Sequence, residues 1–363
     1  MAVFGFKFCL IFIGMKASIS LTYFSILFLL LFTCCTKQAT SGNVAIPPTV
    51  STDTFVFAKG ADVGWLSQME AEGKQFFNAA GLPQNCMSLL QSKGLNSIRL
   101  RVWVNPVNGW CNTADVVTQA VKAKNLGMRI MIDFHYSDWW ADPGQQNKPA
   151  AWAALSFANL VNAVNLHTKD VLTQLKANGV VPTWVQVGNE TNDGMLWEEG
   201  RASTHMDNFA GLVNAGYSAV KAVDPSIKVI VHISNGWNNS LFRWIFDGLK
   251  ANGANWDIIA MSLYPTATDW QSINNQCLAN MNDMIARYNK PIMIAEVGMP
   301  WDEAAACKLF LQDIIAKTKA LPNNKGLGVF YWEPQCYNNW QQYNKGAFDN
   351  SGKPTIAMDA FAD

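Results

Sequence analysis

The chain has 363 residues, half of them hydrophobic and only 15% charged, with 27 Lys+Arg set against 27 Asp+Glu. That length holds a leader and one large domain with an ample core. The balanced charge excludes the basic face that a nucleic-acid partner requires and gives no attraction to an anionic membrane surface.

Residues 1–33 are strongly apolar and are interrupted by Lys7 and Lys16. The run from Leu21 to Phe32 is shorter than the roughly 20 residues of a bilayer span, and it fits the apolar region of a secretory signal. Met15-Lys16 would start that signal as well as Met1 does. The next residues, Leu31-Phe32-Thr33-Cys34-Cys35-Thr36, resemble a bacterial lipoprotein signal, in which a cysteine becomes the lipidated N-terminus. An ordinary secretory signal is the alternative. The organisation expected is a lipoprotein-like signal over 1–34, a polar linker with a Pro-Pro pair over 35–55, and one domain over 56–363. The protein is expected in the cell envelope as a lipoprotein displayed at the surface, with free secretion as the alternative. Membrane attachment is expected only through the lipidated cysteine.

Beyond the leader, eight short apolar runs alternate with amphipathic stretches. The runs lie at 55–62, 97–104, 128–135, 183–190, 227–234, 257–264, 291–297 and 326–333, each bounded by Gly, Pro or Asn. Between them, Ala114–Lys124, Met206–Val223 and Ala304–Ala320 carry apolar residues at helical spacing. Gly94, Gly127 and Gly179 each stand just before a strand, as the glycine after a helix C-terminus does. Eight such alternations predict a single-domain (β/α)₈ barrel. A doubly wound open sheet is the runner-up, but it would need a glycine-rich phosphate loop, and neither G-x-G-x-x-G nor G-x-x-x-x-G-K-[ST] occurs.

A barrel works at the C-terminal ends of its strands, and the unusual polar residues stand there: Asp62; Arg99 and Arg101; Asp133 and His135, then Asp138; Asn189 and Glu190; His232; Ser262 and Tyr264; Glu296; and Glu333. Strands buried on both faces should be apolar throughout, and burying a lone charge costs several kcal/mol. Glu190 and Glu296 therefore need a reason to be there. An ion pair with Arg101 is one. The other is glycosidic hydrolysis, in which one carboxyl protonates the leaving oxygen while the second attacks the anomeric carbon or activates water. The 15 Trp include candidates for a cleft that stacks on the apolar faces of sugars. Five cysteines lie in the domain over 56–363: Cys86, Cys111, Cys277, Cys307 and Cys336. Their odd number leaves one unpaired. None has CxxC spacing or a His at ligand spacing, so no metal site is expected. Positions near one rim suggest a disulfide between Cys307 and Cys336, and another between Cys86 and Cys111.

Several stretches resemble glycoside hydrolase family 53, the endo-β-1,4-galactanases of clan A, from about Phe57 to Ala360. They are GADVGWLSQME (60–70), NSIRLRVWVNP (96–106), IDFHYSDWWADPGQQNKPAAW (132–152), VQVGNETNDGMLWEEG (185–200), LFRWIFDGL (241–249) and SLYP (262–265). The resemblance implies a retaining enzyme that cuts β-1,4-galactan internally, with no cofactor and as a monomer. It implies Glu190 as acid/base and Glu296 as nucleophile, with Arg101 and Tyr264 hydrogen-bonding the nucleophile and Asn189 contacting the sugar 2-hydroxyl. Asp62, Trp65, His135, Asp138, Trp140, Trp197 and Trp332 are implied to line the cleft. The sequence departs from the family at Glu296-Val297-Gly298-Met299-Pro300, where Thr and an aromatic are usual after the glutamate. The loop at 334–346 is short, and no oxygen cluster for calcium stands out. A β-mannanase or cellulase of the same clan, and a non-catalytic glycan-binding barrel, are the competing readings.

Overall fold

A computed structural model describes residues 56–362. The leader, the linker and Cys34 and Cys35 lie outside the described residues. The chain runs β1 (Ala58–Asp62), α1 (Leu66–Ala71), α2 (Cys86–Ser92), β2 (Ser97–Val102), α3 (Thr113–Asn125), β3 (Arg129–Phe134), α4 (Phe157–Ala177) and β4 (Trp184–Val187). It continues with α5 (Met206–Val223), β5 (Lys228–Ile233), α6 (Asn239–Ala251), β6 (Ile258–Leu263), α7 (Trp270–Tyr288), β7 (Ile292–Val297), α8 (Ala304–Lys319) and β8 (Gly326–Trp332). The strands pair in chain order, all in parallel, and β8 closes on β1. This is the expected (β/α)₈ barrel, and all eight apolar runs supply its strands.

Two hydrophobic layers build it. Alternate strand residues, among them Met131, Trp184, Ile258, Met293 and Phe330, fill the barrel interior. The opposite faces of the same strands pack against the helices. Near-complete burial on both faces explains why the strands read as continuous apolar runs. Gly94, Gly127 and Gly179 have φ of +94°, +71° and +72°, so the turns from helix to strand use the left-handed backbone glycine adopts without cost.

Two local features set up the mouth. The fourth strand ends at Val187, earlier than the sequence suggests, because Gly188 turns the chain at φ +81°. Asn189 and Glu190 therefore stand on a turn, and Glu190 itself has φ +45°. On β7, Met261↔Ile294 is followed by Ser262↔Glu296. Ala295 is thus an extra residue. Strict alternation would send neighbouring residues to opposite faces, but with this bulge Ala295 lies in the barrel interior and Glu296 still reaches the mouth.

The expected disulfides do not form: Cys86, Cys111, Cys277, Cys307 and Cys336 are all free and buried. Proximity to one rim does not set the direction of a side chain. Cys307 Sγ lies 3.7 Å from the Tyr331 hydroxyl, and Cys111 Sγ lies 3.4 Å from the Gly64 carbonyl oxygen. Burial pushes both thiols up, to about 12.

Candidate active site

The site is built on Arg99, which points up the inside of the barrel from β2 and is fully buried. Its Nη1 donates to Asp62 Oδ2 at 2.9 Å and to Glu296 Oε1 at 2.8 Å. Its Nη2 donates to Asp133 Oδ2 at 2.8 Å, and to Gln186 Oε1 and Asn189 Oδ1 at 3.0 Å. One planar cation thus ties together β1, β2, β3, β4 and β7. A guanidinium suits this place because its donors form a rigid fork that stays charged when buried.

Glu296 is almost wholly buried, and its second oxygen accepts from the Tyr264 hydroxyl at 2.8 Å. Burial raises its pKa. Arg99 opposes that most strongly, and the Tyr264 hydrogen bond adds to the opposition. Glu190 is half-buried. Its Oε1 accepts from Ser262 Oγ at 2.7 Å. Burial, reinforced by the Glu296 charge, pushes Glu190 up to about 8. The two carboxyls therefore differ. Glu296 has a cation and a phenol holding its charge, and Glu190 keeps its proton near neutrality. A split pair of this kind assigns acid and base roles.

Two histidines brace the floor. His135 Nδ1 accepts from Trp103 Nε1 at 3.2 Å and from the Ala141 amide at 3.1 Å. It therefore carries no proton, and Nε2 donates to Asp133 Oδ2 at 3.1 Å. Asp133 is held below the usual carboxylate range, because Arg99 and His135 together outweigh the cost of its burial. His232 is fully buried, and burial followed by Arg99 pulls its pKa far down, so it is neutral. It links Asn189 Oδ1 at 3.0 Å to Ser262 Oγ at 2.8 Å, and so to Glu190.

Above Arg101 stands a wall of indoles. Trp65 meets Trp140 and Trp332 at centroid distances of 5.3 and 5.2 Å. Trp140 meets Trp103 at 5.1 Å, and Trp103 meets the exposed Trp139 at 4.9 Å. With Tyr343 these rings line a cleft of about 340 Å³. A second cavity of about 440 Å³ lies beside Glu190, walled by Tyr264, Asn235 and the exposed Trp237.

The structure corrects the expected role of Arg101. Arg101 does not touch Glu296; Arg99, two residues deeper on the same face of β2, does. Arg101 pairs instead with Glu333 and lies 3.5 Å from Asp62. Tyr264, Asn189 and Asp62 join the carboxylate network. Asn189 gives one N–H to the Ala141 carbonyl, leaving the other to offer a sugar. Asp62 is fully buried, accepting from Arg99 and the Gly64 amide. Trp65, Trp140 and Trp332 form the wall. Asp138 instead accepts from the Asn105 and Ala150 amides, tying two loops together. Trp197 lines neither cavity. Its Nε1 donates to the Asp193 carbonyl, and Arg201 lies 3.8 Å over its ring. Arg99, Asp133, His232, Ser262 and Glu333 stood out only as polar strand-end residues, while sequence reasoning missed Gln186 and Tyr343. A polar Gln inside an otherwise apolar strand was the available clue to the first of these two.

A closed parallel barrel whose mouth sets two unequally supported carboxyls beside an indole-lined cleft defines a glycoside hydrolase. The glycosyl hydrolase family 53 model matches residues 58–361, and the chain belongs to that family. It is 35% identical over 330 residues to an uncharacterized protein of Niallia circulans, covering 83% of this chain and 89% of that one. It is 31% identical to the arabinogalactan endo-β-1,4-galactanase of Cellvibrio japonicus, over 87% and 93% of the two chains. Among solved structures, the family 53 catalytic domain of Ignisphaera aggregans superposes with a TM-score of 0.76 at 31% identity, covering 84% of this chain and 95% of that one. A fungal β-1,4-galactanase superposes with a TM-score of 0.78 at 27% identity, covering 84% and 99%.

Proposed function

We propose that the protein is a retaining endo-β-1,4-galactanase that cuts β-1,4-galactan or type I arabinogalactan into galacto-oligosaccharides. The observation that carries this reading is the unequal support of the two carboxyls: Arg99 and Tyr264 on Glu296, burial and a raised pKa on Glu190. Glu296 attacks the anomeric carbon while Glu190 gives its proton to the leaving oxygen. Glu190, now a carboxylate, takes a proton from the water that releases the sugar from Glu296. The leaving portion lies on the side of the proton donor, which is the cavity with Trp237. The Trp wall takes the portion retained on Glu296. The names of the relatives supply the galactan, since β-mannan and cellulose would meet the same two carboxyls.

The test has two parts. On linear galactan, viscosity should fall well before reducing sugar is fully released; monosaccharide alone from the start would sink the endo assignment. Faster hydrolysis of mannan or cellulose would replace the substrate. For the roles, Glu190→Ala with an activated substrate should accumulate the glycosyl-enzyme, and azide should restore turnover with a β-glycosyl azide. Glu296→Ala should instead give the α-azide. The opposite pairing of anomers would reverse the two roles.

For location, we propose a monomer anchored in the cell envelope through Cys34, with Cys35 the less favoured site. Changing both to Ser should move the protein to the soluble fraction. Continued membrane retention would point to an uncleaved apolar leader.

A further inference from the structure

The ion pair of Arg101 and Glu333 is buried, lies outside the carboxylate pair and is not used by the chemistry above. Both side chains are wholly inaccessible. Arg101 Nη1 donates to Glu333 Oε1. Among the described residues, its Nε and Nη2 have no hydrogen-bond acceptor. Around the guanidinium stand three indoles instead, with its carbon 4.4 Å from the ring centre of Trp140, 5.1 Å from Trp65 and 5.3 Å from Trp103. A buried cation with unmet donors is stabilised by the negative faces of aromatic rings. Glu333 in turn accepts the Trp65 backbone N–H on both oxygens, at 3.1 and 3.2 Å, and takes a further hydrogen bond from Gln335. Its backbone is at φ +48°, a conformation uncommon for a residue with a side chain. Gly64 completes the arrangement, since a Cβ there would come within 2.4 Å of Arg101 Nη1.

We propose that Arg101 and Glu333 are positioning residues for the sugar-binding wall. Glu333 fixes the backbone of Trp65, Arg101 fixes the faces of Trp65, Trp103 and Trp140, and together they set the affinity for extended glycan without entering the bond-breaking step. The pair holds no group within reach of Glu296, whose contacts are Arg99 and Tyr264. It rests on the proposed reading of the wall as the platform for the retained sugars.

The test is a pair of double-mutant cycles on the full chain, following KM, kcat and the pH profile with the β-1,4-glycan the wild type cuts fastest. Glu333→Gln keeps the shape and turns one of the two acceptor oxygens shared by Arg101 and the Trp65 amide into a donor. Arg101→Lys keeps the charge and removes the planar face. Each should raise KM about tenfold or more, leave kcat within about twofold and leave both pH limbs in place. Binding of an oligosaccharide to the Glu296→Gln background, read by tryptophan fluorescence, should weaken to the same degree. In a Trp65→Ala background, Glu333→Gln should add nothing further to KM, because its route through Trp65 is gone. In a Trp140→Ala background, Arg101→Lys should add less to KM than it does in the wild type, because one of its three rings is gone while Trp65 and Trp103 remain. Additive effects would overturn positioning through those rings. A fall in kcat at unchanged KM would place the pair in the chemistry. Lower thermal stability with both kinetic constants intact would leave only a structural ion pair. If Glu333→Gln does not fold, the Arg101→Lys cycle decides alone. Failure of the wild type on galactan while another glycan is cut would sink the proposed substrate, and the cycles would still decide the wall on that glycan.

Discussion

Two arginines stand two residues apart on β2, both pointing into the barrel and both fully buried, yet they do different work. Arg99 has a partner for every nitrogen. It meets three carboxylates from three strands, and its surroundings are oxygens. Among the described residues, Arg101 has one carboxylate in hydrogen-bonding contact, two nitrogens with no acceptor, and indoles for neighbours. A rise of about 3.3 Å per residue along a strand separates the two layers. The lower layer fixes the charge of Glu296, and the upper layer fixes the ring faces of the proposed sugar platform. One residue type serves both because guanidinium has an edge that matches carboxylates and a face that matches indoles.

The sharpest break of this contrast is Arg99→Lys. A single ammonium on a flexible stem cannot serve Asp62, Asp133 and Glu296 at once. Turnover should fall by about 10²–10³-fold, the usual cost of losing a preorganised electrostatic contact. KM for glycan should change little, since the wall is untouched. Arg99 favours the ionised form of Glu296, so the acidic limb of kcat/KM should move to higher pH. A loss confined to KM would exchange the roles of the two arginines.

Tyr264→Phe acts on the same layer more gently. It removes one donor to the Glu296 carboxylate, and a hydrogen bond to a charged group contributes about 1.5–3 kcal/mol. That corresponds to a loss in turnover of roughly 10- to 150-fold. The acidic limb should again move upward and the basic limb stay in place, because the phenol touches Glu296 and not Glu190. An unchanged acidic limb would mean that Arg99 alone sets the charge of the nucleophile. On the upper layer, Gly64→Ala should cost about 1–3 kcal/mol of stability through overpacking against the Arg101 guanidinium. It should raise KM and leave kcat nearly intact; a lower kcat would show that the two layers are mechanically joined.

The contrast also shows where a sequence is readable. Barrel strands buried on both faces announce themselves as apolar runs, and glycines at +71° to +94° mark the turns into them, so the fold was legible. Glu190 and Glu296 stood out because charges at the ends of such runs need a cause. Which arginine meets Glu296 was not legible. Period-two alternation puts Arg99 and Arg101 on one face and says nothing of depth, and the extra residue at Ala295 sets the height of Glu296. Asp138 resembled a cleft residue because its neighbours are Trp139 and Trp140, yet its carboxylate is consumed by two backbone amides. The cysteines misled in the same manner: position in the chain gave a shared rim, and the direction of Sγ came only with the packing of Tyr331 and Gly64.

The smallest effect is expected from Ser262→Ala, and it tests the direction of a hydrogen bond. Ser262 Oγ lies between Glu190 Oε1 at 2.7 Å and His232 Nε2 at 2.8 Å. It has one proton to give. If it donates to Glu190, it favours the carboxylate, and it accepts from His232 Nε2–H. Removing it then lets Glu190 hold its proton to higher pH, so the basic limb of kcat/KM moves upward from about 8. The acidic limb, set by Glu296, should not move. The other groups facing Glu190 are Glu296, Arg99 and Asp142, and the substitution leaves all three in place. Stability should fall by about 1–3 kcal/mol, since a buried His232 nitrogen loses its partner. A basic limb that moves downward would show the opposite polarity, in which protonated Glu190 donates to Ser262 and Ser262 donates onward to His232 Nε2. His232 would then carry its proton on Nδ1, against Asn189 Oδ1 at 3.0 Å. A nitrogen-15 spectrum of the wild-type histidine distinguishes the two tautomers directly, because neutral His232 carries its single proton on one ring nitrogen or the other.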